Sequence, residues 1–259
     1  MEVLQQALSE LAAAKERVYL DDDGDREAAA GYYGDLEPSF ATLSALLEST
    51  HGVRPSYKPA LELYPWVDLQ PDKVLRSVYT SEEFDPAELI EEAAEIEQRR
   101  ATLVAASEAE VEAMAPYNCE HVVPQSWFEH HEPMRGDMHH LFTCERNCNS
   151  FRGNTAYTDF PDFQEVVRDR CGKREPTGFE PFQGKGPVAR GTLYFLLRYP
   201  KLGVYSEETL GKILAWHEAE PVGEYERHRN AAIFERQGNR NPLIDHPEWA
   251  AEIAFAEGL

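Results

Sequence analysis

The sequence of 259 residues predicts an α+β fold that is mostly helical. Amphipathic and apolar helical patterns fill both ends of the chain. Between them, "NCEHVV" and "MHHLFT" have the character of strands, and a loop with prolines and a glycine separates them. The short helical pattern "ERNCNSFRGN" follows at once. We therefore predict one domain in three parts: an acidic helical cover (1–116), a strand-loop-strand-helix centre (117–155) and an arginine-rich helical part (156–259).

The N-terminal part, residues 1–116, is predicted to be built from helices. Residues 1–19 place their apolar side chains on one stripe of a helix. Asp85 followed by Pro86 is typical of a helix start, and the pattern that follows continues towards Met114. The remaining segments are predicted as a loop at 21–25, a helix at 40–50 and irregular structure with short extended pieces at 53–79.

The C-terminal part is predicted to be helical as well. Capping residues and prolines mark where its helices begin and end. The pattern predicts helices over 186–200, from Ser206, from Pro221 to Gly238, and from Pro247.

Charge and hydropathy limit the classes of function. The formal net charge is −22, with 25 acidic against 9 basic residues in 1–116 and 22 against 16 in 117–259. This charge argues against general binding to polyanions and confines any nucleic-acid contact to a local face. No stretch has the roughly 20 apolar residues of a membrane helix. No basic and then apolar leader opens the sequence, which favours a cytoplasmic over a secreted monomer, although removal of a leader would leave secretion open.

The centre carries the residue types that phosphodiester hydrolysis requires. That reaction needs a base for water and positive charge beside the phosphate. His121 is suited to the first task because the pKa of histidine lies near neutral pH. Glu120 and Asn149 offer oxygen ligands to a hard divalent cation such as Mg²⁺. Arg152 follows Asn149 at helical spacing and can reach a phosphate.

The stretches "NCEHVVPQSWF", "GDMHHLF", "NSFRGN" and "GNRNPLIDHP" closely resemble the bacterial endonuclease I family of ββα-metal (His-Me finger) nucleases, over about residues 53–248. The resemblance implies a ββα-metal core wrapped by helices. It implies metal-dependent cleavage of DNA with little sequence specificity, often with RNA as a second substrate. His121 aligns with the general base, and Glu120 and Asn149 with the ligands of Mg²⁺, for which Mn²⁺ or Ca²⁺ can substitute. The expected products carry 5′-phosphate and 3′-hydroxyl ends.

The residues that contact the nucleic-acid backbone are less well defined. Some members of the family hold the scissile phosphate with an arginine on a longer loop after the catalytic histidine. The loop is short here, so Arg135 and Arg152 both stay open for this role. Arg146, Asn239 and Arg240 are further candidates for backbone contacts, while the alternative for "GNRNPLIDHP" is a buried, hydrogen-bonded turn.

The four cysteines allow three interpretations. Cys119, Cys144, Cys148 and Cys171 all lie within or just after the central motif. A structural zinc site is favoured, because four thiols converge on a small irregular region. Two disulfides or four unpaired thiols are the alternatives.

Two rival functions remain beside a magnesium-dependent endonuclease. One is an RNA-directed nuclease acting in defence or as a toxin. The other is a non-catalytic, zinc-stapled module that binds nucleic acid. The presence of Glu120, His121 and Asn149 together favours catalysis over binding alone.

Overall fold

The computed structural model describes residues 2–104, 107–164, 170–203 and 205–259. Helices dominate the described residues, and six short strands accompany them. The α-helices are α1 (Glu2–Glu16), α2 (Asp22–Tyr33), α3 (Phe40–Thr50), α4 (Pro59–Glu62), α5 (Pro86–Thr102), α6 (Glu108–Met114), α7 (Arg146–Arg152), α8 (Lys185–Arg198), α9 (Glu207–Ala219), α10 (Glu224–Gln237) and α11 (Pro242–Asp245). The strands are β1 (Leu75–Arg76), β2 (Glu83–Phe84), β3 (Cys119–His121), β4 (Leu141–Thr143), β5 (Gly172–Glu175) and β6 (Gly178–Pro181). Short 3-10 helices cover Gln125–Phe128, Met134–Gly136, Met138–His140, Pro247–Ala251 and Phe255–Gly258.

The sheet content agrees with the predicted mostly helical α+β class. The described strands form three separate antiparallel pairs, β1 with β2, β3 with β4 and β5 with β6. The predicted order of strand, loop, strand and helix is present as β3, β4 and α7. Residues 138–140, predicted as part of the returning strand, instead form a 3-10 turn, because the Asp137 side chain accepts a hydrogen bond from the His139 N–H. Among the described residues, no helix has the length and apolarity to cross a membrane.

One loop prediction and one helix prediction in the N-terminal part are wrong in detail. The loop expected at 21–25 is the start of α2, because the Asp21 side chain accepts from the Gly24 N–H and caps the helix. The helix expected to continue towards Met114 is two helices, since α5 ends at Thr102 and α6 starts anew. Ser107 and Glu110 form a capping box at the start of α6.

The β3–β4 hairpin lies between two apolar cores. Val122 and Phe142 pack into a core built largely from α3, α8 and α9. Cys119 and Leu141 pack into a second core built largely from α1, α4 and α5. Successive residues of a strand face opposite sides, so each core takes alternate side chains. Glu120, between Cys119 and His121, is consequently buried despite its charge.

A buried ion pair fastens β4 from two distant segments. Arg229 on α10 forms an ion pair with Asp68 and donates to the carbonyls of Met138 and Leu141 at 3.0 and 2.7 Å. Asp68 also accepts from the N–H and hydroxyl of Thr143 at 2.6 and 2.7 Å. Satisfied in this way, the buried charges hold the hairpin in one register.

Acidic residues of α1 and α2 neutralise arginines of the C-terminal part. Arg227 pairs with Asp22, Arg236 with Glu10, and Arg240 with Asp25. Three arginines of the arginine-rich part therefore have acidic partners within the chain, although the pair of Arg227 and Asp22 lies on the surface. The acidic N-terminal part thus neutralises positive charge in the C-terminal part.

Candidate active site

The hairpin register places Glu120 and His121 side by side at the end of β3. Glu120 lies opposite Phe142, and His121 lies opposite Leu141. The two side chains leave the strand on opposite faces, yet His121 is only 5% exposed and Glu120 is not exposed at all. Each side chain therefore depends on partners inside the protein for its orientation.

Both hydrogen bonds to the Glu120 carboxylate are accepted by the same oxygen. Oε1 accepts from the Tyr79 hydroxyl at 3.0 Å and from Nη1 of Arg152 at 2.8 Å. Oε2 is buried and has no hydrogen-bond partner among the described residues. Burial raises the pKa of Glu120 to about 7, and the Arg152 guanidinium opposes that rise. A buried carboxylate oxygen without a protein partner can accept a contact from a cation or a water molecule.

His121 is held as a neutral imidazole with one defined tautomer. Nε2 lies 2.9 Å from the carbonyl oxygen of Arg135, which can only accept, so the proton is on Nε2. Nδ1 is then the basic nitrogen. Burial lowers the pKa of His121 well below its ordinary value, and His140 contributes in the same direction. The Tyr57 ring packs edge-on at 4.5 Å between centroids and fixes the plane of the imidazole.

Asn149 is oriented by the residue before Glu120. Its Nδ2 donates to the carbonyl of Cys119 at 2.8 Å, so its amide oxygen is left for another partner. Helix α7 ends at Arg152, and the next residue, Gly153, has φ +58° and donates its N–H to the carbonyl of Asn149. The hydrogen bond to Cys119 thus ties the predicted amide ligand to the strand that carries the predicted carboxylate ligand.

The two candidate phosphate-binding arginines differ in their surroundings. Arg152 is 1% exposed and donates to Glu120, to the carbonyl of His121 at 3.0 Å and to that of Val122 at 2.8 Å. Through these contacts Arg152 holds the Glu120 side chain and the end of β3 in position. Arg135 instead lies at the edge of the site, where its Nε donates to Gln125 at 2.9 Å.

A cleft of about 310 Å³ lies beside these groups, although Glu120 is not among the residues that line it. His121, Asn149 and Arg152 lie along it, together with the end of α7. The opposite side is formed by α6, through Ala109, Glu112 and Ala113, and by Pro116. The predicted base and the predicted amide ligand therefore share one solvent-connected space.

The family model described as Endonuclease I matches residues 41–248. The chain belongs to the endonuclease I family. Helices α1 and α2 precede the matched region. Two curated relatives are each named "Extracellular ribonuclease": one from Bacillus subtilis (strain 168), 37% identical, and one from Bacillus amyloliquefaciens, 36% identical, both over 134 residues. Each match covers 45% of this chain and 46% of the relative, so the chain spans about half the length of the curated relatives it matches.

The relatives correct one prediction from the sequence. A cytoplasmic location was favoured because no leader is visible, and that prediction is wrong. Both relatives are named as extracellular proteins, which points to secretion. A disulfide between Cys148 and Cys171 agrees with this correction, because disulfides persist in oxidising compartments.

The cysteines of this endonuclease I family member do not match any one of the three interpretations completely. Cys148 on α7 and Cys171 before β5 form a disulfide, whereas Cys119 and Cys144 are buried thiols without a disulfide partner among the described residues. Glu145 lies with the two bonded sulfurs in a group within 4.8 Å. Because those sulfurs bond each other, the structure does not assemble the predicted zinc site of four thiolates. The disulfide instead fastens the helix that carries Asn149.

The structure places Asn239 and Arg240 in a buried turn, which agrees with the alternative interpretation of "GNRNPLIDHP" rather than with contacts to the nucleic-acid backbone. Asn239 and Arg240 have no exposed surface. Arg240 donates to Asp245 at 2.7 and 2.8 Å and to Asp25 at 2.7 Å. Arg146 is partly exposed but forms an ion pair with Glu92 on α5.

Sequence reasoning missed the two tyrosines behind Glu120. The hydroxyls of Tyr79 and Tyr157 lie 2.7 Å apart, and the Arg152 guanidinium lies 4.7 Å from the centre of the Tyr157 ring. Tyr157 follows the central motif in "GNTAY", and its closeness to "NSFRGN" is the one signal the sequence offers. Tyr79 lies 41 residues before Glu120, and nothing local marks it.

Proposed function

We propose that this protein is a metal-dependent endonuclease that hydrolyses phosphodiester bonds of nucleic acid with His121 as general base. One observation carries the proposal: Glu120, whose Oε2 has no hydrogen-bond partner among the described residues, lies next to His121 on the strand to which Asn149 is hydrogen-bonded. Two oxygen donors and room for water suit Mg²⁺, Mn²⁺ or Ca²⁺. Bound there, such an ion would supply positive charge to the phosphate and to the leaving oxygen.

The residues of the chain have separate roles in this reaction. Nδ1 of His121 accepts a proton from water, and the bond from Nε2 to the carbonyl of Arg135 keeps the ring in position. Glu120 and Asn149 would hold the ion. Arg135 is the better placed of the two candidate arginines to bind the scissile phosphate, because Arg152 is committed to the carboxylate and to β3.

The leaving oxygen sets the products, and water as the nucleophile widens the range of substrates. In-line attack by water that breaks the bond from phosphorus to the 3′ oxygen leaves a 5′-phosphate and a 3′-hydroxyl end, and it requires no 2′-hydroxyl. We therefore propose DNA and RNA as substrates, and the names of the two relatives support RNA. Contacts to the backbone rather than to bases would make cleavage largely independent of sequence and sensitive to salt.

The test is cleavage of supercoiled plasmid, single-stranded DNA and structured RNA with Mg²⁺, Mn²⁺, Ca²⁺ or EDTA. Wild type should cleave with a divalent ion and not with EDTA, and His121→Ala should be inactive. His131→Ala is the matched control, since its side chain is 65% exposed in the neighbouring loop. The 3′ ends should be hydroxyls rather than cyclic phosphates. Cleavage of RNA alone would make the protein a ribonuclease, and binding without cleavage under every condition would favour the non-catalytic module.

A further inference from the structure

The carboxylate of Glu120 is oriented by residues from outside the hairpin. Tyr79 comes from the segment after β1, and Arg152 ends α7. Both donate to the same oxygen, Oε1, at 3.0 and 2.8 Å. The other oxygen, Oε2, is left as the one through which Glu120 can bind a cation with a single contact.

The Tyr79 side chain is fixed in place by the fold. It has no exposed surface, and its ring packs edge-on against Phe179 with the centroids 5.2 Å apart. The adjacent Val78 donates its N–H to the carbonyl of Thr143 at 2.9 Å, which docks the segment onto β4. The phenol therefore approaches Glu120 from a scaffold attached to the opposite strand of the same hairpin.

The hydroxyls form a hydrogen-bond chain with one direction. A carboxylate can only accept, so the proton of the Tyr79 hydroxyl points to Oε1 of Glu120. The Tyr157 hydroxyl, 2.7 Å from that of Tyr79, must then donate to the Tyr79 oxygen. A donor that itself accepts a hydrogen bond is a stronger donor, so Tyr157 strengthens the bond from Tyr79 to Glu120.

We propose that Tyr79 is a positioning residue of the active site, which turns Oε2 of Glu120 towards the bound divalent cation and is supported in this by Tyr157. This inference rests on the proposed function. Outer contacts of this kind orient metal ligands, and their loss weakens metal affinity about 10- to 100-fold. Arg152 alone would keep Oε1 occupied in a Tyr79→Phe variant, but it leaves the carboxylate free to turn.

The experiment measures Mn²⁺ binding directly, by electron paramagnetic resonance of the unbound ion, in the full chain without substrate. Tyr79→Phe should bind Mn²⁺ about 10- to 100-fold more weakly than wild type. Its cleavage rate should rise towards the wild-type rate at high Mn²⁺, with KM for nucleic acid unchanged. Tyr157→Phe should show a smaller loss, below about tenfold.

Tyr64→Phe is the matched control. Tyr64 is equally buried and donates to the carbonyl of Asn118 at 3.0 Å, beside the same strand but away from Glu120. It should lose stability without losing Mn²⁺ affinity.

The positioning role is overturned if Tyr79→Phe binds Mn²⁺ as tightly as the wild type and the Tyr64→Phe control do. If Tyr79→Phe fails to fold, Tyr157→Phe decides by the same comparison. If the wild type binds no Mn²⁺, the metal site itself is overturned. This result distinguishes failure of the proposed function from failure of the positioning role.

Discussion

A carboxylate on α6 faces Arg135, the arginine that we propose to bind the phosphate. Oε2 of Glu112 accepts from Nη2 of Arg100 at 2.8 Å and lies 3.9 Å from Nη2 of Arg135. Glu112 also lines the cleft. A substrate phosphate that approaches Arg135 must therefore compete with this carboxylate. We predict that Glu112→Gln tightens the binding of nucleic acid.

The size of the effect follows from the geometry. Two unit charges about 4 Å apart interact by about 4 kcal/mol at an effective dielectric constant of about 20. The pair is longer than a hydrogen bond and both side chains keep some exposure, 13% for Arg135 and 19% for Glu112, so its net contribution is closer to about 1 kcal/mol. That corresponds to about a fivefold lower KM. Arg100 should keep α6 in place, because it also donates to the carbonyl of Ala115 at 2.8 Å.

The assay is KM for a short labelled duplex at low and high salt. Glu95→Gln is the control, because it removes the same charge from an exposed position on α5 away from the cleft. A lower KM in Glu112→Gln alone, most marked at low salt, is the expected result. Equal KM values for the two variants, or an equal decrease in both, would refute the competition between Glu112 and phosphate.

Three further predictions concern binding and stability. Arg135→Ala should raise KM for nucleic acid about tenfold or more while leaving Mn²⁺ affinity unchanged, and an unaltered KM would exclude Arg135 from phosphate binding. Cys148→Ser should lower the free energy of unfolding by about 3 kcal/mol, because the disulfide with Cys171 closes a loop with a sequence separation of 23; a urea midpoint equal to that of wild type would contradict this. Burial lowers the pKa of both His139 and His140 to about 4, so these residues stay neutral in the folded state while they gain protons in the unfolded state below about pH 6.5. The free energy of unfolding should therefore fall by about 2 kcal/mol for each histidine between pH 7 and pH 5 in urea titrations, and a flat profile over that range would disprove it.

The sequence allowed prediction of those parts of the molecule whose signals are local. Ser206 caps α9 as expected, because its hydroxyl accepts from a backbone N–H three residues later. Glu120, His121 and Asn149 were selected as candidates because their residue types and order suit one reaction. The structure brings Asn149 to β3 through a single hydrogen bond, which neighbouring elements of a short motif can readily make.

What the sequence could not reveal depends on contacts between distant segments. Tyr79 and Tyr157 meet although 78 residues separate them, and no periodicity records that contact. Arg240 was a candidate for binding the nucleic-acid backbone because it lies in the polar segment "GNRNPLIDHP". Its partner Asp25 lies 215 residues away, and only the folded chain shows the charge to be buried and paired. Local patterns also misjudged residues 21–25, where the Asp21 cap outweighs the loop signal of "DDDGD".

The clamp of Arg229 and Asp68 makes β4 depend on segments that lie far from it in the sequence. Arg229 lies 88 residues after Leu141, and Asp68 lies 75 residues before Thr143. Both charged residues are buried, so the loss of one would leave the other as an uncompensated charge inside the protein. A chain shortened before α10 would therefore lose this support of β4, although it would still contain the whole central motif.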